Sequence, residues 1–370
     1  MKLAIVHDWL TNIGGAEKVV LTLHNIYKDA PVYTMSYNPS KMSEEFKDIN
    51  VKTSFIQHLP LGNKKHQLFL PFMPYAFEQF DFSGYDVVLT SSSSCAKGII
   101  TPVNTINICY CHTPTRYLWD MYHEYIKDLN PFIKWYVIRN LHKLRMWDRL
   151  SAERVDYFIA NSNFVAKRIK KYYLKDSKVI FPPVDTDFFT LGNNEDIDNY
   201  YLVISRLVPY KRIDLAVKAF NQLGLKLKIA GVGSELKELK KIAKPNIEFL
   251  GYVSNEAARE LLRHCRAFIF PGLEDFGITP VEAQACGRPV VAYGQGGVLD
   301  TVIDGKTGIL FKEQNVEGLI SAVKVFEKNI DKFDSKYIRK HAEKFSTDRF
   351  AKEIKEFVDE CYRKKFYSEG

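Results

Sequence analysis

Cysteine is scarce: six residues in 370 (Cys95, Cys109, Cys111, Cys265, Cys286 and Cys361), too few and too unevenly spaced for the disulfide framework of a secreted domain. A reducing cytosol fits best. No apolar run reaches the roughly 18 residues of a membrane span. The opening MKLAIVHDWL is broken by His7 and Asp8 before it could form a signal-peptide core. The expectation is a chain that neither spans a membrane nor leaves by the general secretory route. Internal repeats and low-complexity segments are also lacking, which excludes solenoids and propellers. Charge is close to balance, 52 Lys and Arg against 44 Asp and Glu; the excess of +8 suits phosphates, nucleic acid or an anionic membrane and does not choose among them. Without a recognition motif beside it, that excess argues against nucleic acid.

What is present is an ordinary globular composition, 46% hydrophobic and 26% charged, in a chain long enough for two or three domains. The four tryptophans (Trp9, Trp119, Trp135 and Trp147) all fall in the first half, which suggests a specialised surface there. Residues 2–6 form a short apolar run, followed by a turn with Gly14 and Gly15 and then by Val19, Val20, Leu23 and Ile26 at helical spacing. Further apolar runs at 86–90, 106–110, 157–160 and 179–181 are separated by turns and helical patterns. The alternation predicts an α/β fold with parallel sheets covered by helices on both faces. Pro182, Pro183 and the polar stretch after them predict a boundary: a first domain over 1–185 and a linker over 186–198. Runs at 200–205, 225–230, 247–250, 267–270 and 290–293 then restart the pattern in a second doubly wound domain over 199–345. In 346–370, Ser346 and Thr347 are helix-cap candidates, and Phe350, Ile354, Phe357, Val358 and Cys361 share one helical face that must be covered.

Two such sheets are expected to bind ligands at the carboxyl ends of their strands. Gly14 and Gly15 suit close approach of a phosphate or sugar to the first helix, or a plain tight turn. GVGS at 231–234 reads as a turn. Arg206 and Lys211, in one loop and first turn, can neutralise a diphosphate leaving group, or stand as two solvated cations. The most informative stretch is PGLEDFGITPVEAQACGRPVVAYGQGG. Its Glu274 lies in a loop after a strand, and Glu282 lies on the first turn of a helix beginning near Thr279 and Pro280. There the N–H groups of Ile278 and Thr279 can hold phosphate oxygens, Glu282 can accept ribose hydroxyls, and Glu274 can reach a sugar.

With Glu274 and Glu282 in a Glu-x7-Glu pattern, the chain resembles the retaining glycosyltransferases of family 4, which have the GT-B architecture. The likeness takes in Gly14 and Gly15, Arg206 and Lys211, the GYVS turn at 251–254 and the helix after Ser346, and it runs nearly the length of the chain. Asp275 stands where family members commonly have Gly. The stretches HDWL, YCHTPTRYLWD and FPPVDTDFF resemble WbaZ-type bacterial mannosyltransferases of O-antigen and surface-polysaccharide synthesis. The resemblance implies two Rossmann-like domains, with the C-terminal helix packing back on the first. It implies that His112 faces the donor sugar, that Glu274 bonds its hydroxyls, and that backbone groups of Asp275, Phe276 and Gly277 line it. Arg206 and Lys211 would hold the diphosphate, Glu282 the ribose and Val253 the base. The implied reaction is transfer of mannose from GDP-mannose to a lipid-linked saccharide at the cytoplasmic membrane face, by front-face attack with retention and without metal or other cofactor. A UDP-sugar donor, or a non-catalytic sugar-nucleotide binder, are the alternatives.

Cys109, Cys111 and His112 could also begin a zinc site, but a fourth ligand and a second half are missing. A satisfied buried histidine is the other reading of His112, but the adjoining Thr113, Arg116 and Asp120 favour a polar loop over the ligand. Residues 126–149 interleave Lys134, Arg139, Lys143, Arg145 and Arg149 with Phe132, Trp135, Tyr136 and Trp147. That pattern suits an anionic membrane surface, or a helix that packs its apolar face into the first domain. The stretch 59–77 reads the same way, or as an acceptor groove.

Overall fold

The computed structural model describes residues 1–63, 66–127, 129–192 and 197–367. Part of the expected linker (193–196), Asp128 and the last three residues of the C-terminal segment lie outside the described residues. The chain divides into two compact units, one of residues 1–183 with 350–370 and one of residues 184–349.

The first unit is a seven-stranded, wholly parallel sheet of strands β1 (Leu3–His7), β2 (Val32–Thr34), β3 (Val51–Thr53), β4 (Val87–Ser92), β5 (Ile106–Cys111), β6 (Tyr157–Ala160) and β7 (Ser177–Val179), in the order β3-β2-β1-β4-β5-β6-β7. Strands β1, β4 and β5 are buried throughout because helices cover both faces, so they carry continuous apolar runs. The helices are α1 (Gly15–Ile26), α2 (Met73–Glu78), α3 (Tyr122–Ile126), α4 (Pro131–Ser151) and α5 (Asn163–Tyr173). Asn130 caps α4 by accepting from the N–H of Phe132, and Pro131 sits at the first helical position, where its missing N–H costs nothing.

The second unit is a six-stranded parallel sheet of β8 (Tyr201–Ile204), β9 (Leu227–Ala230), β10 (Ile247–Gly251), β11 (Phe268–Phe270), β12 (Val290–Tyr293) and β13 (Gly308–Phe311), in the order β10-β9-β8-β11-β12-β13. Its helices are α6 (Ile213–Leu223), α7 (Leu236–Ile242), α8 (Asn255–His264), α9 (Ile278–Ala285), α10 (Val298–Thr301), α11 (Val316–Lys328) and α12 (Ser335–Ala342). Residues 184–192 belong to this unit: the Val184 N–H donates to the Phe345 carbonyl, and Phe189 is buried.

The last helix, α13 (Thr347–Tyr367), is capped by Ser346, whose hydroxyl accepts from the Arg349 N–H at 3.3 Å. From Phe350 onward it belongs to the first unit. Phe350, Ile354, Val358 and Cys361 join Ile5, Val19, Leu89 and Ile108 in one core, with Phe357 packed against it. Burial of Phe350, Ile354 and Val358 contributes on the order of 1.5–3 kcal/mol each, which fastens the helix to the sheet. Among the described residues no helix is long and apolar enough to cross a membrane.

Candidate active site

In each sheet the strand order reverses beside its first strand, between β1 and β4 in one unit and between β8 and β11 in the other. Loops leaving such neighbours diverge to opposite faces and open a crevice for ligands at the carboxyl ends of the strands. Most of the candidate residues lie at or beside these two places; His112 follows the neighbouring β5, and Val253 follows β10 at the edge of the second sheet.

In the second unit, the loop after β8 carries Arg206 and Lys211, and the loop after β11 carries Glu274 to Gly277. Lys211 ends a short 3-10 turn, Pro209–Lys211, and its backbone lies against Gly272, where a Cβ would be 2.9 Å from the Lys211 carbonyl oxygen. Its ammonium pairs with Glu274 Oε1, and the two side chains are only 18% and 15% exposed. Arg206 is exposed and donates to the Tyr210 hydroxyl at 2.7 Å. A third cation, Arg212, takes a left-handed backbone (φ 53°) to start α6 and pairs with Asp214 at 3.2 Å, so it is directed along that helix.

The loop after β12 holds the glutamate loop in place. Glu274 forms a parallel bridge with Gly296, and its carbonyl accepts the Gly297 N–H at 2.9 Å. A Cβ at Gly297 would lie 2.3 Å from both the Asp275 oxygen and the Phe276 Cα, so only glycine permits this packing. Asp275 and Phe276 are buried, with the Phe276 ring 5.8 Å edge-on from Phe345. Gly277, at φ +88°, caps α9 and turns the chain into it. The amides of Ile278 and Thr279 are therefore the first N–H groups of that helix, among those without an intrahelical acceptor. The helix starts at Ile278, slightly earlier than the sequence suggested. Glu282 is consequently its fifth residue rather than one of its first turn, and it is 9% exposed.

The GVGS segment does more than turn. Gly231 donates to the Gly251 carbonyl at 2.6 Å, and a Cβ on it would lie 1.8 Å from the Ser205 oxygen. Leu207 donates to the Val232 carbonyl at 3.0 Å. The segment is the bed on which the Arg206 loop rests, and it ties that loop to the one carrying Val253. Val253 itself is half-buried, just before Ser254, which caps α8.

In the first unit, His112 follows β5, and its Nε2 lies 2.7 Å from the Ser91 hydroxyl at the end of β4. The same hydroxyl is 3.1 Å from Nδ1 of His7, the last residue of β1, and that Nδ1 is 2.9 Å from the Ser91 carbonyl. Nε2 of His7 faces Glu17 of α1 at 3.6 Å. Burial, followed by the neighbouring His7, lowers the His112 pKa to about 3 and keeps its ring neutral. Burial also opposes charge on His7, but Glu17, with Asp8 and the Ser91 carbonyl, outweighs it and raises that pKa above 6.5. Gly14 leaves room for this arrangement, since a Cβ there would be 3.0 Å from Glu17 Oε2; Gly15 opens α1. Beside His7, the buried Asp8 carboxylate accepts the N–H groups of Ser93, Ser94 and Ala96 at 2.6–3.0 Å and so fixes the loop after β4.

Glu17, His7, Ser91 and Asp8 escaped the sequence analysis as site residues; the signal for them was HDWL and the glutamate two places after the glycine pair. Cys109 and Cys111 are buried within β5. No group of His, Cys, Asp or Glu among the described residues is arranged to hold a metal ion.

Residues 13–188 match the family model "Glycosyltransferase Family 4", and residues 184–345 match "Glycosyl transferases group 1". Among curated relatives, the alpha-1,3/1,6-mannosyltransferase ALG2 of Dictyostelium discoideum is 26% identical, over 84% of this chain and 86% of its own length. The mouse (Mus musculus) enzyme of that name is 24% identical over 94% and 93%. Anabaena HepE, solved in complex with UDP-glucose, superposes with a TM-score of 0.73 at 19% identity, covering 97% of this chain and all of the other. Sucrose-phosphate synthase from Thermosynechococcus elongatus superposes at 0.74 with 17% identity, covering 98% and 99%. With two Rossmann-like units and these two domain matches in succession, the chain is a GT-B glycosyltransferase and belongs to glycosyltransferase family 4.

Proposed function

We propose that this glycosyltransferase moves mannose from GDP-mannose, with retention of configuration, to a lipid-linked saccharide in surface-polysaccharide synthesis. The mannosyl reading is supported by the relatives, which are named mannosyltransferases over most of their length. The HDWL, YCHTPTRYLWD and FPPVDTDFF stretches support the WbaZ-type pathway. The observation that carries the chemistry is the Lys211–Glu274 pair beside the start of α9.

Departure of a nucleoside diphosphate builds charge on its bridging and terminal oxygens. Lys211, Arg206 and the amides of Ile278 and Thr279 are positioned cations and dipoles for that charge, which is the role a metal would otherwise have. Glu274 is assigned to the hydroxyls of the mannose, together with the backbone of Asp275, Phe276 and Gly277. Glu282 is assigned to the ribose and Val253 to the base. His112 meets the sugar, and Gly14 and Gly15 let backbone approach the donor. The acceptor hydroxyl attacks from the side on which the diphosphate leaves, and a departing phosphate oxygen takes its proton, so no separate enzymic base is needed.

A lipid-linked acceptor calls for work at a membrane surface, here the cytoplasmic face, and α4 supports it. Its second half packs through Leu141 and Leu144, whereas residues 131–140 have no buried side chain. Phe132 is 88% exposed and Trp135 65%, among Lys134, Arg139 and, further along, Lys143. Aromatic and cationic residues at one helix end suit anionic headgroups.

Thermal-shift measurement across GDP, GDP-mannose, UDP and UDP-glucose tests the donor assignment, because a ligand bound only by the folded state raises the melting temperature. Stabilisation by GDP and GDP-mannose alone is expected. Stabilisation by the uridine compounds alone would replace the donor with a UDP-sugar.

A further inference from the structure

We infer that His7 and Ser91, with Glu17 as the counter-ion of His7, form a directed hydrogen-bond relay that fixes the tautomer of His112, with His7 as its positioning residue. The inference rests on the reading that His112 meets the donor sugar, and adds to it which ring nitrogen does so and what holds it there.

The direction follows from what each atom is able to do. Nδ1 of His7 lies 2.9 Å from the Ser91 carbonyl oxygen, which only accepts, so this nitrogen carries a hydrogen. The Ser91 hydroxyl, 3.1 Å from the same nitrogen, therefore receives from His7 and has its own proton to give. Among the described residues the other polar neighbour of that oxygen is Nε2 of His112 at 2.7 Å, which accepts it. His112 is thereby the tautomer with hydrogen on Nδ1, and it presents that N–H, a donor suited to a sugar hydroxyl oxygen. The choice of tautomer at one imidazole nitrogen is set by the bond made at the other.

At the far end, Nε2 of His7 faces the Glu17 carboxylate at 3.6 Å. With both of its nitrogens protonated, His7 is the imidazolium: its Nε2–H faces Glu17 as an ion pair, while its Nδ1–H donates to Ser91 and the Ser91 hydroxyl donates in turn to His112. The charged and titratable groups facing His7 are Glu17 from α1, Asp8 from its own strand end and His112 beyond β5; Ser91 of β4 is the neutral link. Asp8 is committed to the amides of Ser93, Ser94 and Ala96. Glu17 is left as the partner that decides His7's charge.

The sheet register and the glycine turn both build the relay. His7 and Ser91 are directly paired residues of adjacent parallel strands, and the His112 N–H donates to the Ser92 carbonyl, one residue beyond Ser91, at 2.9 Å. At position 14 a Cβ would come within 3.0 Å of Glu17 Oε2, so glycine lets the carboxylate lie close to the turn. His7 and Glu17 are 2% and 9% exposed. Burying an ion pair costs desolvation that an apolar pair of equal size would avoid. A role for the charge itself accounts for its being there.

The test uses the full-length enzyme labelled with nitrogen-15 in histidine. Two-bond nitrogen–proton correlation of the wild type should show His112 protonated on Nδ1 and unprotonated on Nε2; protonation on Nε2 would overturn the relay without any variant. Glu17→Gln should lower kcat on the order of 10-fold, the worth of weakening one hydrogen bond to the sugar in the transition state, with donor KM changed less than about 2-fold. It should also move the alkaline limb of kcat toward lower pH, because His7 then loses its proton earlier. Ser91→Ala should return His112 to a mixture of tautomers. If His112→Ala is inactive while Glu17→Gln keeps the wild-type kcat and pH profile, the relay is wrong and the reading of His112 stands. If His112→Ala transfers at the wild-type rate, the reading beneath the relay fails.

Discussion

Glu274 holds Lys211 in the free enzyme, so replacing it by Gln should tighten the binding of GDP rather than leave it unchanged. Both side chains are more than four-fifths buried, which keeps water from screening the pair fully. A diphosphate charge placed about 4 Å from the lysine ammonium would lie roughly 7 Å from the Glu274 carboxylate. With a dielectric constant of about 40, between the values for a protein surface and for water, the repulsion is about 1 kcal/mol. Glu274→Gln removes that repulsion and frees the lysine, so the Kd for GDP should fall about 5-fold. Lys211→Ala removes the attraction and leaves the carboxylate facing the phosphate, so the Kd should rise more than about 10-fold. Isothermal titration of the two variants and the wild type with GDP reads both effects, and a transfer assay beside it should show both variants impaired. Weaker GDP binding in Glu274→Gln, to the extent seen in Lys211→Ala, would instead make Glu274 a nucleotide contact rather than a restraint on the lysine.

Glu282→Ala should weaken GDP binding by roughly 1–3 kcal/mol, the cost of losing a charged acceptor, measurable in the same titration. Transfer should survive exhaustive chelation; loss restored by Mg²⁺ or Mn²⁺ would mean that the diphosphate is held otherwise. Gly297→Ala places a methyl group 2.3 Å from the Asp275 oxygen, so the glutamate loop must shift; a fall in melting temperature corresponding to about 1–3 kcal/mol and a loss of turnover are expected. The lowered pKa of His112 means that between pH 6.5 and about 3 the unfolded chain takes up a proton that the native ring refuses. This contribution is whole above pH 6.5 and lost as pH falls, so wild type should lose more melting temperature on acidification than His112→Gln, followed by circular dichroism.

Much of the scaffold was legible because strands buried on both faces must be continuous apolar runs, as in the VVLT, INICY, YFIA and VVAY segments. The edge-side strands β2 and β3 were not, since three residues with one or two polar side chains carry no period. The C-terminal helix was legible from its one-sided apolar face. The region 126–149 supported two opposed readings, membrane surface and packed helix. The structure divides α4 between a packed second half and an exposed first half. At the site, Glu274 and Lys211 could be named because each sits in a loop after a strand, but their pairing depends on two strands that neighbour each other only in the folded sheet. The same holds for His7 and Ser91, 84 residues apart. His7 reads in sequence as a break in an apolar run, and only the parallel register shows that it ends beside Ser91.

Competition between two donors tests the proposed retaining transfer of mannose from GDP-mannose to a lipid-linked saccharide most directly. The enzyme should be offered carbon-13-labelled GDP-mannose and unlabelled UDP-glucose at equal concentration, with a pool of polyprenyl-diphosphate-linked saccharides. Mass spectrometry of the lipid product and NMR of its new anomeric centre then report the donor and the stereochemistry together. Labelled hexose joined in the α configuration, as in the donor, is expected; unlabelled hexose, or a β linkage, would overturn the assignment.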